Sequence, residues 1–175
     1  MIDLSGKTIL VTGASRGIGA ATALALDHAG ARVVLTYSSS AAKAQEVAEA
    51  CTNDPVVLQV DLAQPGAASE LFDKAIDQVG SIDVVVNNAG IAPTADIDAT
   101  DKEWADAWQT TMQVNLFSLA DICRKAISHF VPNGGGTIIN IASRAAFRGD
   151  EPNMMHYAAS KGAVVSLSRS IARGY

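Results

Sequence analysis

The period of the apolar positions changes several times along the chain. Residues 8–12 (Thr-Ile-Leu-Val-Thr) form a short β-rich apolar run that stops at Gly13, and 32–37, 55–60, 82–86 and 136–143 are runs of the same kind. Between them, 18–29, 41–51, 66–79, 101–131 and 155 onward are rich in Ala, Leu and charged residues and predict helices. In 101–131, Trp104, Trp108, Met112, Leu116, Leu119, Cys123, Ile127 and Phe130 recur at spacings of three or four, which predicts the longest helix, stopped by the glycines at 134–136. Strands alternating with helices of ten or more residues predict βαβ units, right-handed crossovers and a parallel sheet. Val-rich strands without clean alternation suit a sheet covered on both faces. No repeat, low-complexity stretch or linker divides residues 1–175, so a single α/β domain is expected.

A hydrophobic content of 49% with 18% charged residues excludes a disordered chain. The net charge of −5 argues against gripping a polyanion such as nucleic acid. No apolar run approaches the roughly 18 residues of a membrane helix, and the N-terminus lacks a signal-peptide layout. Cys51 and Cys123, each inside a predicted helix, have no metal-ligand spacing, so reduced thiols, no metal and a cytoplasmic setting are expected.

Three glycines of Thr12-Gly13-Ala14-Ser15-Arg16-Gly17-Ile18-Gly19 fall between the first strand and the first helix, where a nucleotide gives them a reason. Gly13 permits a tight turn, Gly17 lets the backbone approach a pyrophosphate, and Gly19 lets helix pack against strand. The head of the helix offers N–H donors and a positive dipole end to phosphates. The spacing is G-x-x-x-G-x-G, not the G-x-G-x-x-G fingerprint. Loop and alternation together predict a doubly wound, Rossmann-like sheet of order 3-2-1-4-5, with a dinucleotide across the carboxyl ends of strands 1 and 4.

Residues 143–161 hold the constellation that looks like bond-making chemistry. Tyr157 and Lys161 are four residues apart at the start of a predicted helix and so share a face. A phenol of reference pKa about 10 is a poor proton shuttle at neutral pH. An ammonium ~4 Å away favours the phenolate by about 4 kcal/mol at an effective dielectric of about 20. Ser143 ends the run 136–143, so its hydroxyl is expected to meet the tyrosine. His156, about 100° round the helix from Tyr157, is expected on another face. His28 and His129 are expected at the surface, and Arg144, Phe147 and Arg148 beside the substrate. A Tyr-x-x-x-Lys pair also arises by chance on exposed helices, so its weight comes from the rest of the chain.

TGASRGIG (12–19), Asp61-Leu62 after the third strand, NNAG (87–90), Asn115 in the long helix, Ser143 and YAASK (157–161) stand in one family's order and spacing. Over all 175 residues the chain resembles the short-chain dehydrogenase/reductases, most of all the carbonyl-reducing group that includes 3-oxoacyl-carrier-protein reductases. The resemblance implies hydride transfer between NADP(H) and a carbonyl or secondary alcohol. It makes Tyr157 the acid/base, has Lys161 lower its pKa and hold the nicotinamide ribose, and has Ser143 hydrogen-bond the substrate carbonyl. Asn115 would bind, through its backbone, a water linking Lys161 to solvent. The same resemblance assigns Gly13, Ser15, Arg16, Gly17, Ile18, Gly19 and Ser38 to the cofactor, together with Asp61 and Leu62 at the adenine and Asn88, Ala89 and Gly90 at the adenosine ribose. Asn87 would tie strands together. A homodimer or homotetramer is implied, pairing the long helix and the final helix through Val164, Val165, Leu167 and Ile171. Family members continue beyond the position of Tyr175 with further strands and a lid helix, so that C-terminal part of the family fold is expected to be absent from these residues.

The cofactor preference can also be read from charge. In folds that use NAD, an acid about 20 residues past the loop accepts from the ribose 2′-hydroxyl. Here that count reaches Thr36-Tyr37-Ser38-Ser39-Ser40, and no carboxylate lies between Asp27 and Glu46. Arg16 supplies a guanidinium for a 2′-phosphate and Ser38 a hydroxyl, so NADP(H) is expected over NAD(H), which is the alternative. Two other functions stand beside the reductase. A sugar-nucleotide epimerase or dehydratase shares the Tyr/Lys pair but usually shows T-G-x-x-G-x-x-G. A dinucleotide-binding module without catalysis is the other.

Overall fold

The computed structural model describes residues 2–175. Among them, five strands form one parallel sheet in the order β3-β2-β1-β4-β5. They are β1 (Thr8–Val11), β2 (Arg32–Tyr37), β3 (Val56–Gln59), β4 (Val84–Asn87) and β5 (Thr137–Asn140). The expected doubly wound order is therefore the observed one. Alternate side chains of the central strand serve opposite layers. Leu10 packs with Leu71, Phe72 and Ala75 of α3 (Ala67–Val79) and with Ile122, Ala126 and Phe130 of α5 (Ser118–Phe130). Ile9 and Val11 pack with Ala23 of α1 (Gly17–His28) and Ala48 of α2 (Ala41–Glu49). Burial on both faces is why these strands read as continuous apolar runs, and each buried Val, Leu or Ile contributes about 1.5–3 kcal/mol.

The helix expected over 101–131 is not continuous. α4 (Asp101–Met112) starts at a capping box between Thr100 and Glu103, and a π-helical turn, Gln113–Phe117, separates it from α5. The i→i+5 turn adds a residue without disturbing the periodicity on either side, so the apolar spacing alone looked unbroken. The longest regular helix is instead α7 (Met155–Gly174). The run 136–143 stops being strand at Asn140, which leaves Ser143 on the exit from β5. A short helix, α6 (Ala145–Arg148), and a single 3₁₀ turn at Pro152–Met154 follow, neither signalled by periodicity. α2 ends at Glu49, so buried Cys51 lies beyond the helix that was expected to contain it. His129 is half-buried rather than superficial; its Nε2 accepts from the Ile82 N–H at 3.3 Å and meets the Ser81 hydroxyl at 3.2 Å. Val164 is fully buried with Leu119 and Cys123, so it cannot face a second subunit as expected.

The connection into β3 is pinned from α1. The carboxylate of Asp27, buried near the end of that helix, accepts from the backbone N–H groups of Thr52 and Asn53 at 2.9 Å and from both of their side chains. Burial pushes this carboxyl up, but the hydrogen bonds outweigh it and hold it below the usual carboxylate range.

Candidate functional site

A cavity of about 620 Å³ opens at the carboxyl ends of the strands. Gly13, Ser15, Arg16, Gly17, Ile18 and Gly19 form one wall; Thr36 to Ser40 form a second. Asp61 and Leu62 close one end, and Asn88, Ala89 and Gly90 lie along the floor. The structure thus brings together every residue expected at the cofactor other than Tyr157 and Lys161.

The glycine loop is held by hydroxyls that sequence reasoning passed over. Thr12 and Thr36 are both buried. The Thr36 Oγ1 accepts from the Gly13 N–H at 3.2 Å, and its carbonyl accepts from the Ala14 N–H at 2.8 Å. The Thr12 Oγ1 accepts from the N–H groups of Asn88 and Ala89, each at 3.0 Å. Asn88 Nδ2 donates back to the carbonyls of Thr12 at 2.9 Å and Gly13 at 3.1 Å. A threonine near the carboxyl end of each strand, Thr12 before Gly13 and Thr36 in β2, was the available signal. Gly17 has φ +57°, and a Cβ there would stand in open space, so its glycine serves backbone conformation and approach. Gly19 serves close packing: a Cβ would collide with the Gly13 carbonyl and the Asn88 amide. Its expected partner, the strand, is replaced by the loop itself.

The head of α1 is left chemically open. Arg16 occupies the N-cap in an extended conformation with no side-chain cap, and the first turn holds no acid. α4, by contrast, closes its head with Thr100 and Glu103. Unsatisfied N–H groups and a positive dipole end at a cavity wall fit a pyrophosphate. The carboxylate of Asp27 is turned to Thr52 and Asn53 and Glu46 is absent from the lining, which leaves Asp61, just beyond β3, as the carboxylate that lines the cavity.

Beyond Gly90 the site becomes acid/base in character. Tyr157 and Lys161 project from one face of α7, with the ammonium 5.9 Å from the phenol ring centroid. Lys161 is 3% exposed and donates to the Ile141 carbonyl at 2.8 Å; among the described residues it has no carboxylate partner. Burial pushes its pKa down. A Cβ at Gly90 would lie 3.5 Å from this ammonium and 3.3 Å from Asn115 Oδ1, so the NNAG turn, the π turn and α7 converge here. Asn115 sits in the π turn and is buried. Its Oδ1 accepts from the Ile91 N–H at 2.8 Å, and its Nδ2 donates to the Ile91 carbonyl at 2.9 Å and to Ser160 Oγ at 3.1 Å. Ser143 Oγ accepts from the Ala145 N–H at 3.1 Å and so opens α6, which packs on α7.

His156 faces away from Tyr157's work, as expected. It is buried, its Nε2 donates to the Pro93 carbonyl at 2.7 Å, and its ring lies 5.9 Å from that of Trp108. Asn87 does tie strands: its Nδ2 donates to Asn140 Oδ1 at 2.9 Å, and Asn140 continues the chain to Ser168 Oγ at 2.9 Å. Cys123 lies against this pair, its thiol pushed up to about 11 by burial. Arg144, Phe147 and Arg148 are all exposed. Among the described residues no group of His, Cys, Asp and Glu could hold a metal, and no helix is long and apolar enough to cross a membrane.

A family model described as short chain dehydrogenase matches residues 7–175. A 3-oxoacyl-[acyl-carrier-protein] reductase of Synechocystis sp. is 37% identical, with 99% of this chain and 70% of the relative aligned. A 3beta-hydroxysteroid dehydrogenase 1 of Eggerthella lenta is 36% identical, over 99% of this chain and 66% of the relative. The crystal structure of a short chain dehydrogenase from Burkholderia cenocepacia, in complex with NADP, superposes with a TM-score of 0.86 at 36% identity, covering 97% of this chain and 69% of that one. The chain spans about two thirds of the length of the curated relatives it matches.

Proposed function

Because the chain belongs to the short-chain dehydrogenase family, we propose that it is an NADP(H)-dependent oxidoreductase acting on a carbonyl or secondary-alcohol substrate. One observation carries the reading. The ammonium of Lys161 is buried without a counter-charge, beside both Tyr157 and the end of the nucleotide-sized cavity. An unpaired buried charge is costly to a fold, and its placement makes sense as the tuner of a phenol. When bound, the cofactor supplies the hydride.

The chain's own groups do the rest. In reduction, Tyr157 gives its hydroxyl proton to the substrate oxygen and becomes a phenolate; in oxidation it takes the alcohol proton. Lys161 stabilises that phenolate and offers its ammonium to the nicotinamide ribose. Ser143 donates a hydrogen bond to the oxygen as charge develops on it. The π turn at Asn115 has irregular backbone bonding, and its carbonyl is assigned a water connecting Lys161 to solvent. Arg16 and Ser38 take the 2′-phosphate, Ser15, Gly17 and Ile18 the pyrophosphate, and Asp61 and Leu62 the adenine. The related proteins named as a 3-oxoacyl reductase and a hydroxysteroid dehydrogenase both work on such carbon–oxygen centres.

The test is NADPH oxidation by the purified chain over a panel of ketones and 3-oxoacyl thioesters, with Tyr157→Phe alongside. Turnover should fall about 10²–10⁴-fold in the variant, while nicotinamide-fluorescence titration shows nearly intact cofactor binding. A Phe variant keeping more than about a tenth of the activity removes Tyr157 from the role. Binding with no turnover in the unmutated chain leaves the non-catalytic module as the function.

A further inference from the structure

Ser160 lies between the two residues assigned the chemistry and points to neither. It is fully buried. Its Oγ donates to the Tyr157 carbonyl at 2.7 Å and accepts from Asn115 Nδ2 at 3.1 Å. The other N–H of that amide goes to the Ile91 carbonyl, and the amide oxygen takes the Ile91 N–H. A single hydroxyl therefore joins the first turn of α7 to the π turn, and through it to the segment that follows the NNAG floor. Within α7, Ser160 is the residue that carries this link from Asn115. The bond to the i−3 carbonyl is intrahelical and would form in any helix; the bond from Asn115 is the one that reports position.

Resting on the acid/base reading of Tyr157 and Lys161, we propose that Ser160 is a positioning residue. Through Asn115 it fixes the register of α7 against the cofactor floor, and so sets where the Tyr157 phenol and the Lys161 ammonium, which move together on that helix, stand relative to it. A methyl group in its place leaves the second Asn115 N–H buried without an acceptor. The π turn and α7 then lose this side-chain tie, and the turn that carries Tyr157 and Lys161 shifts against the floor. Turnover would drop with little change in cofactor binding. Displacements well under 1 Å are enough for such losses, since a 1 Å misplacement costs about 10²-fold.

Ser160→Ala, in the full chain, is expected to lower kcat about tenfold and leave the KM for NADPH within about twofold. Ser160→Thr keeps the hydroxyl and is expected to recover most of the loss. A second readout needs no substrate. Nicotinamide-fluorescence titration should give an NADPH affinity within about twofold of the unmutated chain's in both Ser160→Ala and Ser160→Thr. An unchanged kcat in a folded Ser160→Ala protein overturns the proposal, as does an equal loss in kcat and NADPH affinity or a Ser160→Thr protein as slow as Ser160→Ala. Full turnover in Tyr157→Phe would overturn the catalytic reading instead, while the recovery of Asn115-dependent register in Ser160→Thr, read as thermal midpoint, still decides whether Ser160 positions the turn. Should Ser160→Ala fail to fold, Ser160→Cys, a weak donor of similar size, carries the same expectation.

Discussion

At the scale of single residues the site is set by two cations. Arg16 lines the cavity at an uncapped helix head, with no acid in the first turn of that helix. Arg16→Ala is expected to weaken NADPH by about 1.5–3 kcal/mol, the worth of one charge-assisted contact, and to leave NADH almost untouched. Fluorescence titration with both cofactors checks it, and equal affinities in the unmutated chain would refute the preference. Lys161 works against the fold that holds it. Burial depresses its pKa, so its charge costs stability fully below the folded pKa, and that cost fades as pH rises to the ordinary lysine value. Lys161→Met should therefore melt higher at neutral pH while losing turnover, a trade visible in one thermal scan and one assay. These charged and motif residues were legible in the sequence because their chemistry is distinctive. Thr12, Thr36 and Ser160 were not, since a hydroxyl gains meaning only from the partner that the fold brings to it.

At the scale of elements, alternation exposed the sheet order and both helical layers, because strand–helix–strand repetition leaves few topologies. Two features escaped. The π turn inserts one residue into an otherwise regular stripe, and α6 is a single turn of four residues with no face to read. The Ser143 region accordingly proved more folded than a loop. The brace from α1 to the start of β3 was also invisible, since Asp27 and Thr52 are 25 residues apart. It carries a pH signature. A carboxyl whose folded pKa is depressed contributes stability above its unfolded pKa and loses it as pH falls through the folded value. Asp27→Ala should cost about 1–3 kcal/mol by stranding buried N–H donors. Urea midpoints for the two proteins should converge as pH falls, and parallel curves would show that the carboxylate is not responsible.

At the scale of the molecule, Phe117 stands 52% exposed on the π turn, on the outer face of the long helical path. A homodimer or homotetramer built across this face is the expected solution state, and Phe117→Glu should shift it toward monomer. Light scattering at micromolar concentration decides, and a clean monomer of the unmutated chain counts against it. The parallel sheet has a further consequence, in time rather than space. β1 pairs with β2 at Thr8 and Arg32, but its other side waits for β4, where Ile9 meets Val84, 75 residues on. At a synthesis rate of about 5–20 residues per second, that side of the central strand stays open for roughly 4–15 seconds. Ile9, Leu10 and Val11, which end fully buried, begin as an unprotected adhesive edge. The nascent chain is therefore a client for whatever holds hydrophobic segments apart, and its yield in a cell is governed by how long it must be held.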